Sequence, residues 1–228
     1  MRLAAIDVGS NSLHMVIADV GAEGRLEVVD RVKEMVRLGR RSFTTGRLAD
    51  SAMDLALHTL KNFRRLAELH KVARIRAVAT SAVREASNRA AFLARIRRET
   101  GLKVEVVSGA EEARLILVAA RYAMGLDGGP HLLLDVGGGS VELVLVRDGV
   151  ALWTRSMPLG VSRLTERFIS RDPPSKSDVA RLRHHLERAL GHLLDNARYS
   201  GAIRVVGTSG TVNTLVAMAR AARGEELG

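Results

Sequence analysis

The segment DVGSNSLHMVI, residues 7–17, is written a second time as DVGGGSVELVL, residues 135–145. In each copy a hydrophobic run ends on an aspartate, glycine and small hydroxyl residues follow, and a β-type run resumes. That is the pattern of two strands joined by a tight hairpin. The copies start at 7 and 135, far more than the roughly 20–50 residues of a solenoid repeat, so one supersecondary unit has been duplicated in a two-lobed α/β chain.

Working outward from the first copy, LAAIDV at 3–8 and LHMVIADV at 13–20 read as strands, and 25–38 as one or two further extended pieces. Apolar residues then recur at helical spacing over 48–70, RIRAVAT at 74–80 returns to strand, and a helix from Asn88 ends at Gly101, a residue suited to the left-handed cap. KVEVVS at 103–108 is a strand and AEEARLILVAARYAM at 110–124 a helix. LDGGP at 126–130 is the natural boundary, which divides the chain into 1–125 and 131–228. After it the pattern restarts with HLLLDV, VELVLVRDG and VALWTRSMP as three strands. A helix near Gly160, a loop at 170–178, a long basic helix over 178–199, a strand at 203–207 and a helix from Asn213 to Arg223 complete it.

The composition, 46% apolar and 26% charged over 228 residues, is that of a folded protein. Absence of cysteine removes disulfides, thiol nucleophiles and thiolate metal sites, and agrees with a reducing cytoplasm. The first strand meets an aspartate within a few residues of Met1, which suits neither a signal peptide nor a spanning helix, so a cytoplasmic protein without membrane partners is expected. The formal charge of +10 invites a polyanion. With only 3% aromatic residues there is little for bases to stack on, which argues against specific nucleic-acid binding.

The two hairpin turns have a chemical reading as well. Glycine lets an oxygen-rich ligand approach the backbone, and consecutive amides in such a turn form an anion nest. A carboxylate cannot bind phosphate itself, so the aspartate implies a cation between them. A third loop, GTSGT at 207–211, lies between a strand and a helix, where its amides also suit an anion. Neither a Walker A loop nor GxGxxG occurs. His184, His185 and His192 on the basic helix lack acidic partners at a ligand spacing and read as a polar face.

AAIDVGSNSLHMVI, ATSAVREA (79–86), VVSGAEEARLI (106–116), LLLDVGGGSVELV (132–144), MPLGVSRLTERF (157–168) and VVGTSGT (205–211) together resemble, in this order, the exopolyphosphatase and guanosine pentaphosphate phosphohydrolase family. That family belongs to the actin, sugar-kinase and Hsp70 superfamily, whose lobes carry a ribonuclease-H-like fold. The resemblance implies Mg²⁺-dependent hydrolysis of a terminal phosphoanhydride bond, with polyphosphate or guanosine pentaphosphate as substrate in a cleft between lobes. An ATPase of the same superfamily, or an inactive polyphosphate- or nucleotide-binding protein, is the alternative.

The resemblance further implies phosphate binding by Ser10, Asn11 and Ser12, by Gly137, Gly138, Gly139 and Ser140, and by the third loop, Gly207, Thr208, Ser209, Gly210 and Thr211. Arg84 matches an arginine that contacts phosphate. Mg²⁺ is implied near Asp135 and Glu142, with Asp7 contributing through water; an exposed strand position is the plainer reading of Glu142. Glu112 maps onto the glutamate that activates water, and Glu111 is its neighbour. Both also suit a helix start, where a carboxylate serves the macrodipole. Family members continue past the GTSGT loop, so the second lobe is expected to be incomplete, and its uncovered face admits a homodimer.

Overall fold

The computed structural model describes residues 1–202 and 204–225. The chain divides into two compact units, Met1–Ser108 and Gly109–Gly228.

In the first unit, β1 (Arg2–Val8), β2 (Ser12–Val20) and β3 (Leu26–Met35) form the antiparallel meander. A four-residue helix α1 (Ser42–Thr45) and the long α2 (Asp50–Leu69) lead to β4 (Arg74–Ala79). A short α3 (Ser81–Glu85) and α4 (Arg89–Thr100) precede β5 (Val104–Val106). The sheet order is β3-β2-β1-β4-β5, with β4 parallel to β1 and β5 parallel to β4. Period-two alternation puts Ala4, Ile6 and Val8 of β1 on the buried face. Met53, Leu57, Leu60 and Phe63 of α2 meet that face at the three-to-four-residue spacing of an amphipathic helix.

The second unit repeats the plan. It holds α5 (Gly109–Met124), β6 (Pro130–Val136), β7 (Val141–Arg147), β8 (Val150–Met157), α6 (Val161–Phe168), α7 (Lys176–Tyr199), β9 (Arg204–Thr208) and α8 (Ser209–Ala222). Its sheet order, β8-β7-β6-β9, matches β3-β2-β1-β4 strand for strand, including the parallel pairing of β6 with β9. Both units are thus ribonuclease-H-like, as expected. Strand β7 is buried along nearly its whole length because the second sheet is covered on both faces. Leu133, Val144 and Val146 meet Ala113, Leu117 and Ala120 of α5, while Leu132, Leu143 and Leu145 meet Leu193 and Ala197 of α7. Helix α7 begins on a capping box, in which the buried Asp178 accepts from the Ser175 backbone and Ser175 Oγ accepts from Asp178 N–H.

Two boundaries differ from the sequence reading. The compact units divide at Ser108/Gly109 rather than in LDGGP, because α5 buries its apolar stripe on the second sheet and Leu126 is buried in the same cluster. The Gly-Gly-Pro stretch is therefore a turn inside the second unit. Helix α8 begins at Ser209, four residues before the expected Asn213, so Ser209, Gly210 and Thr211 form its first turn instead of a free loop. The strand expected at 203–207 is found as Arg204–Thr208, and Ile203 lies outside the described residues.

Candidate active site

Three carboxylates of the second unit come together. Asp135 ends β6 and Glu142 lies on β7, directly opposite across the antiparallel pair, so both point to the face that α5 covers. Glu112 is in the first turn of α5. Its neighbour Glu111 is held by a bidentate pair with Arg114, at 2.7 and 2.8 Å. It is Glu112, not Glu111, whose charge acts on Glu142.

Glu142 is only 1% exposed, which overturns the exposed-strand alternative. Ser156 Oγ, its cross-strand partner on β8, donates to Glu142 Oε1 at 2.7 Å, and Oε2 is buried without a hydrogen-bond partner. Burial, then the charge of Glu112, push the Glu142 carboxyl up to about 7; Ser156 and Ser140 pull it the other way, and Asp135 adds a smaller upward push. Burial also raises Asp135, against the hydrogen bond that the Thr208 hydroxyl donates to its Oδ1.

An orphaned, desolvated carboxylate oxygen beside two more carboxylates is a site that a divalent cation would satisfy. Among the described residues no three such side chains are placed to enclose a metal by themselves. Asp135 and Glu142 could supply one or two oxygens to a hard divalent cation, with water completing its shell.

The glycine turn after Asp135 is gripped from behind. Gly137 N–H donates to Ser140 O at 3.0 Å, closing the hairpin. Val161 and Ser162 N–H, at the start of α6, donate to the carbonyls of Gly137 and Gly138, and Arg163 Nε donates to that of Gly139 at 2.9 Å. In a trans peptide the N–H points opposite to the C=O. The amides of Gly138, Gly139 and Ser140 are therefore all turned away from α6, which is the arrangement of an anion nest. Gly160 makes the grip attainable: a Cβ there would lie 2.4 Å from backbone atoms of Gly138 and Gly139.

The first unit carries the same device. Gly9 N–H donates to Ser12 O at 3.2 Å, the carbonyl of Ser10 accepts from Gly39 N–H, and that of Asn11 accepts from Val36 and Arg37 N–H. The amides of Asn11 and Ser12 consequently face the other way. Both serine hydroxyls are engaged internally, Ser10 with Ser81 Oγ at 2.9 Å and Ser12 with His14 Nε2 at 2.7 Å, so they brace the turn. Asp7 is exposed, opposite His14 across the strand pair. Arg84, on α3, donates from Nη1 to the Val107 carbonyl at 3.0 Å.

In the third loop, Gly207 ends against Val212, whose Cγ1 would lie 2.5 Å from an added Cβ. The Thr208 hydroxyl bonds Asp135, and Ser209 Oγ donates to Val136 O at 2.8 Å, so this loop locks the end of β6. Ser209 takes a left-handed φ of 83°, a strained value for a serine. Gly210 and Thr211, in the first turn of α8, present the N-terminal end of the helix dipole.

The model of the Ppx/GppA phosphatase family matches residues 16–227. The chain belongs to that family. Exopolyphosphatase 2 of Mycobacterium tuberculosis is 38% identical over 227 residues, covering 96% of this chain and 71% of the relative. The crystal structure of an exopolyphosphatase from Cytophaga hutchinsonii superposes with a TM-score of 0.92 at 34% identity, over 100% of this chain and 73% of that one. The Aquifex aeolicus member of the Ppx/GppA family gives 0.76 at 34% identity, over 96% and 69%.

Four residues of the candidate site escaped the sequence reading: Gly109, Ser156, Gly160 and Arg163. Gly160 had a signal, a glycine directly before a helix in MPLGVSR. Ser156 had none, since its role exists only through strand register.

Proposed function

We propose that this enzyme hydrolyses terminal phosphoanhydride bonds of inorganic polyphosphate with the help of Mg²⁺, releasing phosphate. The observation that carries the reading is the convergence of Glu112, Asp135 and the buried Glu142 beside three outward-turned glycine-loop amides. Membership of a phosphatase family and the exopolyphosphatase names of its relatives supply the substrate class. Among the described residues no helix is long and apolar enough to cross a membrane.

The assigned roles follow from the chemistry of phosphoryl transfer, which needs positioning and charge stabilisation more than covalent assistance. The amides of Gly138, Gly139 and Ser140 bind phosphate oxygens. Asp135 and Glu142 hold the cation, which supplies charge neutralisation on the phosphate when bound. Glu112 orients a water and accepts its proton from the first turn of α5, whose Gly109 packs closely on Ser156. In the first unit, the Asn11 and Ser12 amides form an anion-binding turn of the same kind, and Arg84 is the arginine assigned to phosphate.

The test is phosphate release from long-chain polyphosphate with and without Mg²⁺, with guanosine pentaphosphate and ATP in parallel. Mg²⁺-dependent release from polyphosphate is expected. Preferential release from guanosine pentaphosphate would reassign the substrate within the same chemistry, preferential release from ATP would make the chain an ATPase, and folded protein silent on all three would make it a binding protein.

A further inference from the structure

A concave feature lies wholly within the first unit. It is a cavity of about 280 Å³ at the ends of α2 and α4, where β4 and β5 begin. Arg64, Arg74, Arg97 and Lys103 line it, with Glu68 the single acid. Ala67 and Leu102, 1% and 4% exposed, contribute apolar floor.

The cations are not all explained by local structure. Arg64 pairs with Glu68 at 2.7 Å, and Arg97 bonds the Gly101 carbonyl at 3.1 Å, the ordinary service of a basic residue at a helix C-terminus. Arg74 opens β4 and Lys103 immediately precedes β5, and neither has an acidic or hydrogen-bond partner among the described residues. Four cations against one carboxylate leave a surplus of three. The C-terminal ends of two helices offset roughly half a charge each. About two positive charges remain, held around one concavity.

We propose that this cavity binds a small phosphate-class anion. Two uncompensated charges match a multiply charged oxyanion, and three guanidinium forks suit tetrahedral oxygens. The volume, just under the roughly 300–1,000 Å³ of sites for drug-sized ligands, suits orthophosphate or the end of a short polyphosphate. The site is separate from the first-unit glycine turn. That turn follows the carboxyl end of β1, level with Ala79, whereas Arg74 stands at the opposite end of β4, about 15–20 Å away at ~3.3 Å per residue. The assignment does not depend on the chain being a hydrolase.

The test is calorimetric titration of the full chain in metal-free buffer with tripolyphosphate, orthophosphate and sulfate, using the native protein and the double variant Arg74→Ala/Lys103→Ala. The native protein should show two classes of tripolyphosphate site, and the variant, with an unchanged melting temperature, should lose about tenfold or more in affinity at one of them. Its phosphate release at saturating substrate should equal the native rate, which separates failure here from failure of the proposed function. Tight orthophosphate binding at the same class would name product as occupant; binding of tripolyphosphate alone would name substrate. An unchanged titration in the double variant, or sulfate competing as well as tripolyphosphate, would overturn the proposal, whereas a single class of site that the double variant loses would assign that class to this cavity.

Discussion

Gly109 and Ser156 approach so closely that a Cβ on the glycine would stand 2.4 Å from Ser156 Oγ and 2.5 Å from its Cβ. The same hydroxyl donates to Glu142, and Gly109 begins the helix turn that carries Glu112. One contact therefore sets the separation between the residue assigned to water and a residue assigned to the cation.

Gly109→Ala should push the first turn of α5 off β8. Overpacking of this kind costs about 1–3 kcal/mol. A displacement near 1 Å would lower kcat by about 100-fold. Ser156→Gly in the same chain removes both clashing atoms, so the double variant should recover most of the stability, while turnover stays low because Glu142 has lost its donor. Melting curves and steady-state rates on the two variants decide it; a single variant with native turnover would show that the contact does not position Glu112.

Glu142 gives a pH dependence. Its folded carboxyl is raised from 4.5 to about 7, so between those values the folded state binds the proton that the unfolded state has released. Stability in metal-free buffer should then fall as pH rises through that window, by roughly 3 kcal/mol at most. Glu142→Gln should flatten the fall, leaving the variant more stable than the native chain at pH 8 and similar below pH 4.5. Excess Mg²⁺ should restore native stability at pH 8 and do nothing for the variant. Denaturant melts at both pH values, with chelator and with Mg²⁺, measure all four conditions.

Glu112 and Glu111 separate the two readings of the helix start. Glu112→Gln should lower kcat by about 100- to 10,000-fold with substrate binding retained, the range for loss of a general base. Glu111→Gln breaks the exposed pair with Arg114, worth under about 1 kcal/mol, and should cost little activity. Equal losses from both would mean that the helix terminus, not a particular carboxylate, matters.

The meander of each unit was legible because its signals are local: period-two alternation, glycine turns, and an aspartate ending the first strand. The repeat itself told the topology, since two copies of one hairpin imply two copies of one sheet. What stayed hidden depends on tertiary choice. An amphipathic α5 followed by Gly-Gly-Pro reads as the end of a lobe, but nothing in its sequence says which sheet receives Ala113 and Leu117. Likewise GTSGT looks like a loop because Gly and Thr are poor helix formers, whereas the hydrogen bonds of Thr208 and Ser209 to β6 fix the chain there and let α8 start at once. The carboxylate cluster was half visible. Asp135 and Glu142 are hairpin partners by sequence, but the burial that raises Glu142 comes from α5 and β8, brought in from elsewhere in the chain.

The most sensitive position outside the carboxylates should be Gly160. A Cβ there would meet backbone atoms of both Gly138 and Gly139 at 2.4 Å, and backbone, unlike the far end of a side chain, cannot rotate away. Gly160→Ala must therefore either push α6 from the glycine turn, breaking the bonds from Val161 and Ser162 to the turn carbonyls, or deform the turn itself. Both outcomes disorder the amides of Gly138, Gly139 and Ser140 while leaving Glu112 and the Glu142–Ser156 bond in place. The expected signature is a KM for polyphosphate raised about tenfold or more together with a stability loss of about 1–3 kcal/mol. Arg163→Ala, which removes the bond to the Gly139 carbonyl, should give a smaller shift of the same kind. A Gly160→Ala enzyme with native KM and a lowered kcat would mean that the turn does not bind phosphate in the ground state.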